Sequence, residues 1–328
     1  MLKLSAEIQV FGECGMVFLH RLHDVNVITS VENLTDTATI TFPRSIQNKG
    51  KPITDFVKKD DKIVVRLGYD DNLFTVFRGY VKQVLLDSPM KLVCENEAYK
   101  LKQIKVAKGT RTQFSIRQFC KEYIDNEQYV TEAKLDKVVF ANDLTVLEVL
   151  SFFKKNYGLL FYYREEDDSS IFYGNMSSFE AKRHGGINVI KLKKGCNIIS
   201  STVKTVLAED NKIQIVGKSM VGTKKIEVKY PDTVGEGYNV RTHHWFECRN
   251  EAQLMEKAKA EFKNSNKDTI NGDITAFGIP FVRKGDIIHL YDDEVVELND
   301  KRFFAKAVTY SWGVSGYRQT ITLGGRAS

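Results

Sequence analysis

Three short acidic clusters are the strongest candidates for a reactive site in this chain. They are Asp70–Asp71, Glu165–Asp168 and Asp292–Glu294. Two facing carboxyl groups are the usual machinery of glycoside hydrolysis, in which one protonates the leaving oxygen and the other acts as base or nucleophile. The proton donor needs a desolvated setting that raises its pKa. Because all three clusters fall between strand-like runs, we expect them to be solvated hairpin turns without a catalytic role.

The histidines and glycines give no stronger sign of a reactive site. His243 and His244 are adjacent, so in a strand their side chains point to opposite faces and cannot chelate one ion together. Gly235 and Gly237 form a lone G-x-G that is typical of a turn, and the sequence has no phosphate-binding loop or nucleophile elbow. We therefore predict no catalytic, cofactor-binding or metal-binding residue, no cofactor, and no enzymatic activity.

Composition and charge indicate a folded protein without a concentrated nucleic-acid-binding surface. The 328 residues carry a formal net charge of +6, and no dense run of Lys or Arg occurs. The N-terminus has no signal-peptide pattern, and no run approaches the roughly 20 apolar residues of a membrane helix, so we expect synthesis in a cytoplasm and no membrane anchor. Five scattered cysteines without a C-x-x-C pair favour buried thiols over disulfides.

The clearest internal pattern is a near-repeat 225 positions apart. Residues 56–63 read F-V-K-K-D-D-K-I, and residues 281–288 read F-V-R-K-G-D-I-I. Each copy is a charged turn that opens an apolar run, reaches a Tyr-Asp-Asp step at Tyr69 or Tyr291, and continues into a second strand-like run. A repeat that extends over a turn and two strands indicates two copies of one β-unit in the same chain.

Alternation and turn signals divide the chain into three parts. Residues 1–105 show short alternating strands and favour a barrel or a sandwich. Residues 106–190 combine helical spacing with a hairpin, and residues 191–328 return to strands with a helix near 250–263. The predicted fold class is β-rich α+β: a first tube β-barrel domain at 1–105, a small α+β insert domain at 106–190, and a second, similar antiparallel tube β-barrel domain at 191–328.

Local signals mark the ends of two of the predicted helices. Thr145 and Glu148 fit a capping box, in which each side chain bonds the other residue's backbone amide. Gly158 fits the position just after that helix, where a left-handed backbone is favoured. Asn250 is expected to cap the helix near 250–263.

Several degenerate motifs are carried along this layout. They are D-x-I-x-V-x-L-G-Y at 61–69, F-x-G-x-V at 77–81, T-V-L-E-V-L-x-F-F at 145–153, R-K-G-D-I-I at 283–288 and T-x-T-L at 320–323. In these motifs and their order the chain resembles the baseplate hub proteins of contractile phage tails, the late-control protein D family. The related N-terminal part of type VI secretion spike proteins has the same layout, and the resemblance covers almost the whole chain.

The resemblance implies a structural role in a virion tail baseplate, encoded by a phage or prophage. Such hubs carry two similar barrels per chain and assemble as homotrimers, so six near-equivalent barrels surround one axis. The expected partners are further copies of the chain, the tail tube protein, a spike and other baseplate proteins, with DNA at most passing through the channel. Because the sequence ends at Ser328, soon after the last predicted strand, we expect the spike to be a separate polypeptide.

Two predicted strands are expected to lie near the tube wall or the subunit interface, since a ring of barrels must cover its exposed strand edges. The candidate interface residues on them are Phe74, Phe77, Tyr80, Val81, Phe303, Phe304, Val308 and Tyr310.

Two other functional classes remain open on sequence grounds. The 14 Tyr and 20 Phe, together with the acidic turns, would suit a β-rich carbohydrate-active enzyme or a glycan-binding protein. The net charge of +6 would suit an intracellular module that binds an acidic partner.

Overall fold

The computed structural model describes residues 2–13, 15–45, 47–48, 50–140, 143–157, 159–175, 189–206, 212–221, 224–245, 248–265, 269–295 and 298–326. The strands in these ranges are β1 (Leu4–Gly12), β2 (Gly15–Leu19), β3 (Asp24–Ser30), β4 (Thr37–Phe42), β5 (Gln47–Asn48), β6 (Lys51–Pro52), β7 (Lys62–Tyr69), β8 (Asn72–Leu85), β9 (Met90–Asn96), β10 (Gly109–Ser115), β11 (Glu127–Val130), β12 (Lys134–Phe140), β13 (Leu160–Glu165), β14 (Ser170–Asn175), β15 (Val189–Lys193), β16 (Ile198–Ser201), β17 (Lys204–Val206), β18 (Ile213–Val221), β19 (Lys224–Tyr230), β20 (Asn239–His244), β21 (Thr269–Asn271), β22 (Asp273–Phe277), β23 (Ile287–Tyr291), β24 (Lys301–Gly313) and β25 (Gly316–Arg326). The helices are α1 (Ala98–Leu101), α2 (Ile116–Tyr123), α3 (Val146–Tyr157) and α4 (Glu251–Ser265), with a 3-10 turn at Ile53–Asp55.

Strands from both ends of the chain form one large, mainly antiparallel sheet. Its N-terminal part has the order β1-β7-β8-β9-β4-β3, which we call the first unit. Its C-terminal part has the order β15-β23-β24-β25-β22-β16, which we call the second unit. Both units therefore use the same spatial order for their successive strands, as two copies of one β-unit should.

Residue pairing shows that the units correspond in register as well as in order. In the first unit Ile40 of β4 pairs with Leu92 of β9, which pairs with Val84 of β8. In the second unit Ile274 of β22 pairs with Ile321 of β25, which pairs with Val308 of β24. The next strand outward pairs Val25 with Ile40 in one unit and Ser201 with Ile274 in the other. β17 and β21 continue β16 and β22 in the same register, because Lys204 pairs with Asn271 as Ile28 pairs with Thr37.

The units differ at one edge. β1 runs antiparallel to β7, whereas β15 runs parallel to β23. The remaining corresponding strand pairs are antiparallel in both units.

One hydrophobic core lies against both units, and smaller clusters lie in other described parts of the chain. The shared core runs from Ile8 to Leu323 and includes fully buried side chains such as Phe77 and Tyr317. The insert packs α2, α3 and the neighbouring strands around Phe119 and Phe153. β18, β19, β20 and α4 form a separate three-stranded sheet covered by a helix, a subdomain that the sequence did not distinguish from the second barrel.

The predicted helix starts are confirmed by their hydrogen bonds. The Thr145 amide donates to Glu148 Oε2 over 2.7 Å, and the Glu148 amide donates to Thr145 Oγ1 over 3.3 Å. The Gln253 amide donates to Asn250 Oδ1 over 2.9 Å at the start of α4. Gly158, predicted to end the preceding helix, lies outside the described residues.

Two further sequence expectations concern cysteines and membrane spans. Cys94 and Cys120 are buried as expected, and burial raises the pKa of both thiols, but Cys196 is exposed and corrects the expectation for that residue. Cys14 lies outside the described residues. In the part of the chain that the structure describes, none of the helices is long and apolar enough to cross a membrane.

Candidate functional site

The repeated sequence folds into the same turn in both units. The Lys58 amide donates to Asp61 Oδ2 over 2.7 Å, and the Arg283 amide donates to Asp286 Oδ2, also over 2.7 Å. Each aspartate thereby closes the turn that precedes β7 or β23. The repeat seen in the sequence is therefore a structural repeat.

The backbone of the two turns agrees as closely as their side chains. Asp60 and Gly285 occupy the same position, with φ of 74° and 90°, in the left-handed region that glycine adopts without strain. The Asp60 amide donates to the Val81 carbonyl over 2.8 Å, and the Gly285 amide donates to the Ala305 carbonyl over 2.8 Å. A bulge follows in each case, directly after Val81 in β8 and after Ala305 in β24.

The first and second units are joined inside the chain by β3 and β24. These strands pair antiparallel from Ala307 opposite Ser30 to Gly313 opposite Asp24. Thr29 Oγ1 also donates to the Val308 carbonyl over 2.8 Å. The two repeated units thus meet strand to strand, through the outermost strand of the first unit and a central strand of the second.

A buried ion pair lies beneath this strand junction. Lys284 Nζ, from the repeated turn of the second unit, lies 2.5 Å from Asp36 Oδ2 of the first unit and 3.3 Å from the Ser30 carbonyl. Asp36 also accepts from the Ser30 amide and from Asn96 Nδ2, each over 3.1 Å. Burial raises the pKa of Asp36, and Lys284 opposes that shift. Each of the two charges therefore has its counter-ion in the other unit.

The β13–β14 hairpin of the insert wedges charged groups between the same two units. On the second-unit side, Arg164 Nη2 lies 2.8 Å from Asp286 Oδ1. On the first-unit side, Arg78 Nη1 lies 3.2 Å from Glu165 Oε2 and donates to the Glu166 carbonyl over 2.7 Å. Arg283 also contacts the exposed carboxylate of Asp167. The hairpin consequently fixes the insert to both units at once.

The prediction that the acidic clusters are solvated turns is wrong for Glu165. Its side chain is only 10% exposed, and burial raises its pKa to about 7, while Ser170 and Arg78 act in the opposite direction. The alternation of apolar and polar residues in the hairpin sequence does not indicate that Arg78, from the distant strand β8, lies beside this turn. Arg164 was also missed, and its only signal in the sequence is a lone charge at the end of an apolar strand.

Of the other two acidic clusters, one is exposed as expected and the other contains a buried aspartate. Asp70 and Asp71 are exposed at the β7–β8 hairpin, with φ of 49° and 64°, as the turn prediction requires. Asp292 is buried instead, and its Oδ1 accepts from the amides of Glu294 and Val295 over 3.0 and 3.2 Å. The carboxylate of Asp292 is engaged in closing its own turn, which corrects its assignment as a solvated group.

The two adjacent histidines contact different aromatic residues. His243 stacks on Trp245 with ring centroids 5.3 Å apart, whereas the His244 ring meets Tyr157 edge to face at 5.2 Å. Among the described residues, no three His, Cys, Asp or Glu side chains come close enough together to hold a metal ion.

The eight candidate interface residues contribute their side chains to the interior of the single chain. Seven of them are buried, and Phe74 is half-buried and stacks on Phe281 with centroids 4.8 Å apart. Tyr310 donates its hydroxyl proton to the Val282 carbonyl over 2.7 Å. Any part these strands take in a tube wall would therefore come from their backbone edges, and that assignment stays a prediction.

The fold is similar to solved structures of tail proteins. The tail protein from Neisseria meningitidis MC58 matches with a TM-score of 0.63 at 13% identity, over 99% of this chain and 97% of that chain. The 43 kDa tail protein of prophage MuSo2 from Shewanella oneidensis matches with a TM-score of 0.61 at 13% identity, over 97% of each chain. The E. coli c3393 protein, a component of the type VI secretion system, matches with a TM-score of 0.57 at 11% identity, over 99% of this chain and 77% of its own.

These similarities show which fold the chain has. The chain has the fold of phage and prophage tail proteins, and the type VI secretion component shares that fold. No protein-family model matches the sequence, and no curated protein matches it either. The resemblance that the turn and strand motifs indicated is confirmed at the level of the fold.

Proposed function

We propose that this chain is a structural baseplate hub of a phage-type contractile tail, without enzymatic activity. The observation that carries the proposal is the duplicated β-unit, with the same strand order, the same turn and the same register in both copies. The similarity in fold to prophage tail proteins supports the same role.

The duplication has a direct consequence for symmetry. A homotrimer of a chain with two equivalent units presents six equivalent units around one axis, so it has pseudo-six-fold symmetry at one end and true three-fold symmetry at the other. In this proposal each unit closes as a β-barrel, the six-fold face binds the tail tube, and the three-fold face binds a separate spike protein. The channel along the axis would let DNA pass without any base-specific contact.

The buried charges between the units suit this role. Lys284, Asp36, Arg164 and Asp286 hold the two units and the insert in a single arrangement. A symmetry adaptor needs such a fixed arrangement, because the two units of each chain must stay one-sixth of a turn apart. Unpairing a buried ion costs several kcal/mol, about 3–5 kcal/mol, so rotation of one unit against the other is opposed.

Co-expression with the tube protein of the same tail tests the proposal. Native mass spectrometry of the purified complex is expected to show three copies of this chain for each ring of six tube subunits. A complex with equal numbers of the two proteins, or no complex with a tube protein that forms six-membered rings by itself, would contradict the hub assignment. A chain of the same tail that does not contact the tube serves as the negative control.

A further inference from the structure

We infer that neighbouring copies of this chain pair through β8 of one copy and β17 of the next, in the register that β24 and β3 use inside the chain. This inference rests on the proposed ring and goes beyond it, because it names the two strand edges and the residues that face each other. The partner is a second copy of the same chain.

The internal junction supplies the template. In it β3, the outermost strand of the first unit, pairs with β24 of the second, with Val308 opposite Thr29 and Thr309 opposite Ile28. In strand order, β16 and β17 occupy the position in the second unit that β3 occupies in the first. Likewise, β8 occupies the position in the first unit that β24 occupies in the second. A ring of alternating units therefore needs a second junction, between β8 and β16–β17.

Both edges that this second junction would use are open in the single chain. Beyond Val81, β8 pairs with β9 alone among the described strands, because β7 reaches no further than Tyr80. β16 and β17 pair only with β22 and β21, within the part of the chain that the structure describes. Open edges present rows of unpaired N–H and C=O groups, which is the usual template for pairing with another chain.

The alternation of hydrogen bonds shows which residue of β8 faces outward. The Asn96 amide donates to the Asp36 carbonyl, so alternate residues of β9 face β4 and those between them, including Val93, face β8. Gln83 pairs with Val93, and its backbone groups are therefore used by β9. The amide and carbonyl of the next residue, Val84, then point to the open side.

The opposing edge shows the same arrangement. The Thr202 amide donates to the Asp273 carbonyl, so the amide of the next residue, Val203, points outward. Among the described residues, that amide donates only to Ser201 Oγ, over 3.3 Å. An arriving strand would replace this long local bond.

The residue types at the internal junction recur at the proposed one. Thr29 and Val308 are joined by a hydroxyl-to-carbonyl bond, and the corresponding positions are occupied by Thr205 and Val84. Transfer of the register places Val84 opposite Thr205 and Leu85 opposite Lys204.

An exposed apolar side chain lies at the end of the same edge. Leu86 follows β8 and is 58% exposed. In the transferred register it lies opposite Val203, so pairing with the next copy would cover part of this side chain.

The two junctions differ in one component. The internal junction has the buried pair of Lys284 and Asp36, whereas the equivalent positions of the proposed junction hold Lys59 and Ile270. At these two positions the proposed junction therefore has no counterpart of the buried ion pair within the chain.

Disulfide trapping tests the register. Leu85→Cys and Lys204→Cys, combined in a background with Cys14→Ser and Cys196→Ser, face each other as a non-hydrogen-bonded pair, whose Cα separation of about 4.5 Å suits a disulfide. Mild oxidation of the full chain is expected to give intermolecular dimers and then a closed covalent trimer on non-reducing gels. The matched control is Leu85→Cys with Val203→Cys, which shifts the register by one residue and should cross-link about tenfold less.

The outcomes separate this inference from the proposed function. A trimer by native mass without the Leu85–Lys204 cross-link would overturn the junction and leave the hub intact. Cross-links that continue into open chains larger than a trimer would support the junction and contradict the trimeric hub. Absence of both the cross-link and the trimer at high protein concentration would overturn the junction as well.

Discussion

The Nζ atom of Lys284 lies 2.5 Å from Asp36 Oδ2, with both side chains buried where the two repeated units meet. Lys284 belongs to the repeated turn of the second unit and Asp36 precedes β4 of the first. The pair therefore joins parts of the chain that are far apart in sequence. It also makes the internal junction different from the otherwise equivalent one that we propose between copies.

Lys284→Met is expected to destabilise the chain by about 3–5 kcal/mol, because it leaves the carboxylate of Asp36 buried without its partner. Urea unfolding, followed by circular dichroism, measures this loss. The control is Lys193→Met, which removes a lysine from an exposed pair with Asp293 at 3.5 Å and should cost under about 1 kcal/mol. Adding Asp36→Asn to Lys284→Met should recover part of the loss; equal losses in the single and double variants would contradict the pairing.

Glu165→Gln is expected to change how stability depends on pH. The pKa of Glu165 in the folded chain is about 7, above its ordinary value of 4.5, so its stabilising contribution is complete below pH 4.5 and is lost as the pH rises through 7. The variant lacks this loss, so its stability relative to the native chain should improve by roughly 3 kcal/mol between pH 4.5 and pH 8. Urea unfolding of both proteins at these two pH values measures the difference in their free energies of unfolding. A difference that does not change with pH would contradict a buried Glu165 carboxyl with a raised pKa.

The duplicated turn provides a matched pair of substitutions. Asparagine keeps the oxygen that accepts the turn amide but removes the charge, so Asp61→Asn should cost under about 1 kcal/mol. Asp286→Asn should cost about 3 kcal/mol, because Arg164 then loses its buried partner at 2.8 Å. Thermal and urea unfolding of the two variants are the measurement. Equal losses would show that Arg164 does not depend on Asp286.

Val84→Pro is expected to remove self-assembly while leaving the fold of the chain intact. The amide of Val84 points to the open side of β8, and proline is tolerated at such an edge position. Sedimentation velocity should show fewer oligomers, and circular dichroism should be unchanged. Val308→Pro is the control at the corresponding internal position, where the strand is paired on both sides and the cost should be about 3 kcal/mol or more. Undiminished assembly of Val84→Pro would exclude this edge.

Short-range patterns predicted the elements of this chain better than its contacts. The repeated turn, the capping box at Thr145 and the cap at Asn250 depend on residues within a few positions, and they are where the sequence places them. The ion pair of Lys284 with Asp36 and the burial of Glu165 against Arg78 depend on residues far apart along the chain. A single sequence shows a charge in a turn but not which distant strand covers it, so the sequence predicts a solvated turn at Glu165 and gives no sign that Lys284 pairs with Asp36.

Cryo-electron microscopy of the assembled hub, reconstructed without imposed symmetry, shows directly how many chains form the ring and how their units are arranged. We expect three chains in a closed ring, with first and second units alternating around the axis and superposing on one another. We also expect β8 of each chain to lie beside β17 of the next. A ring in which two first units are neighbours, or one built from a number of chains other than three, would rule out the proposed hub.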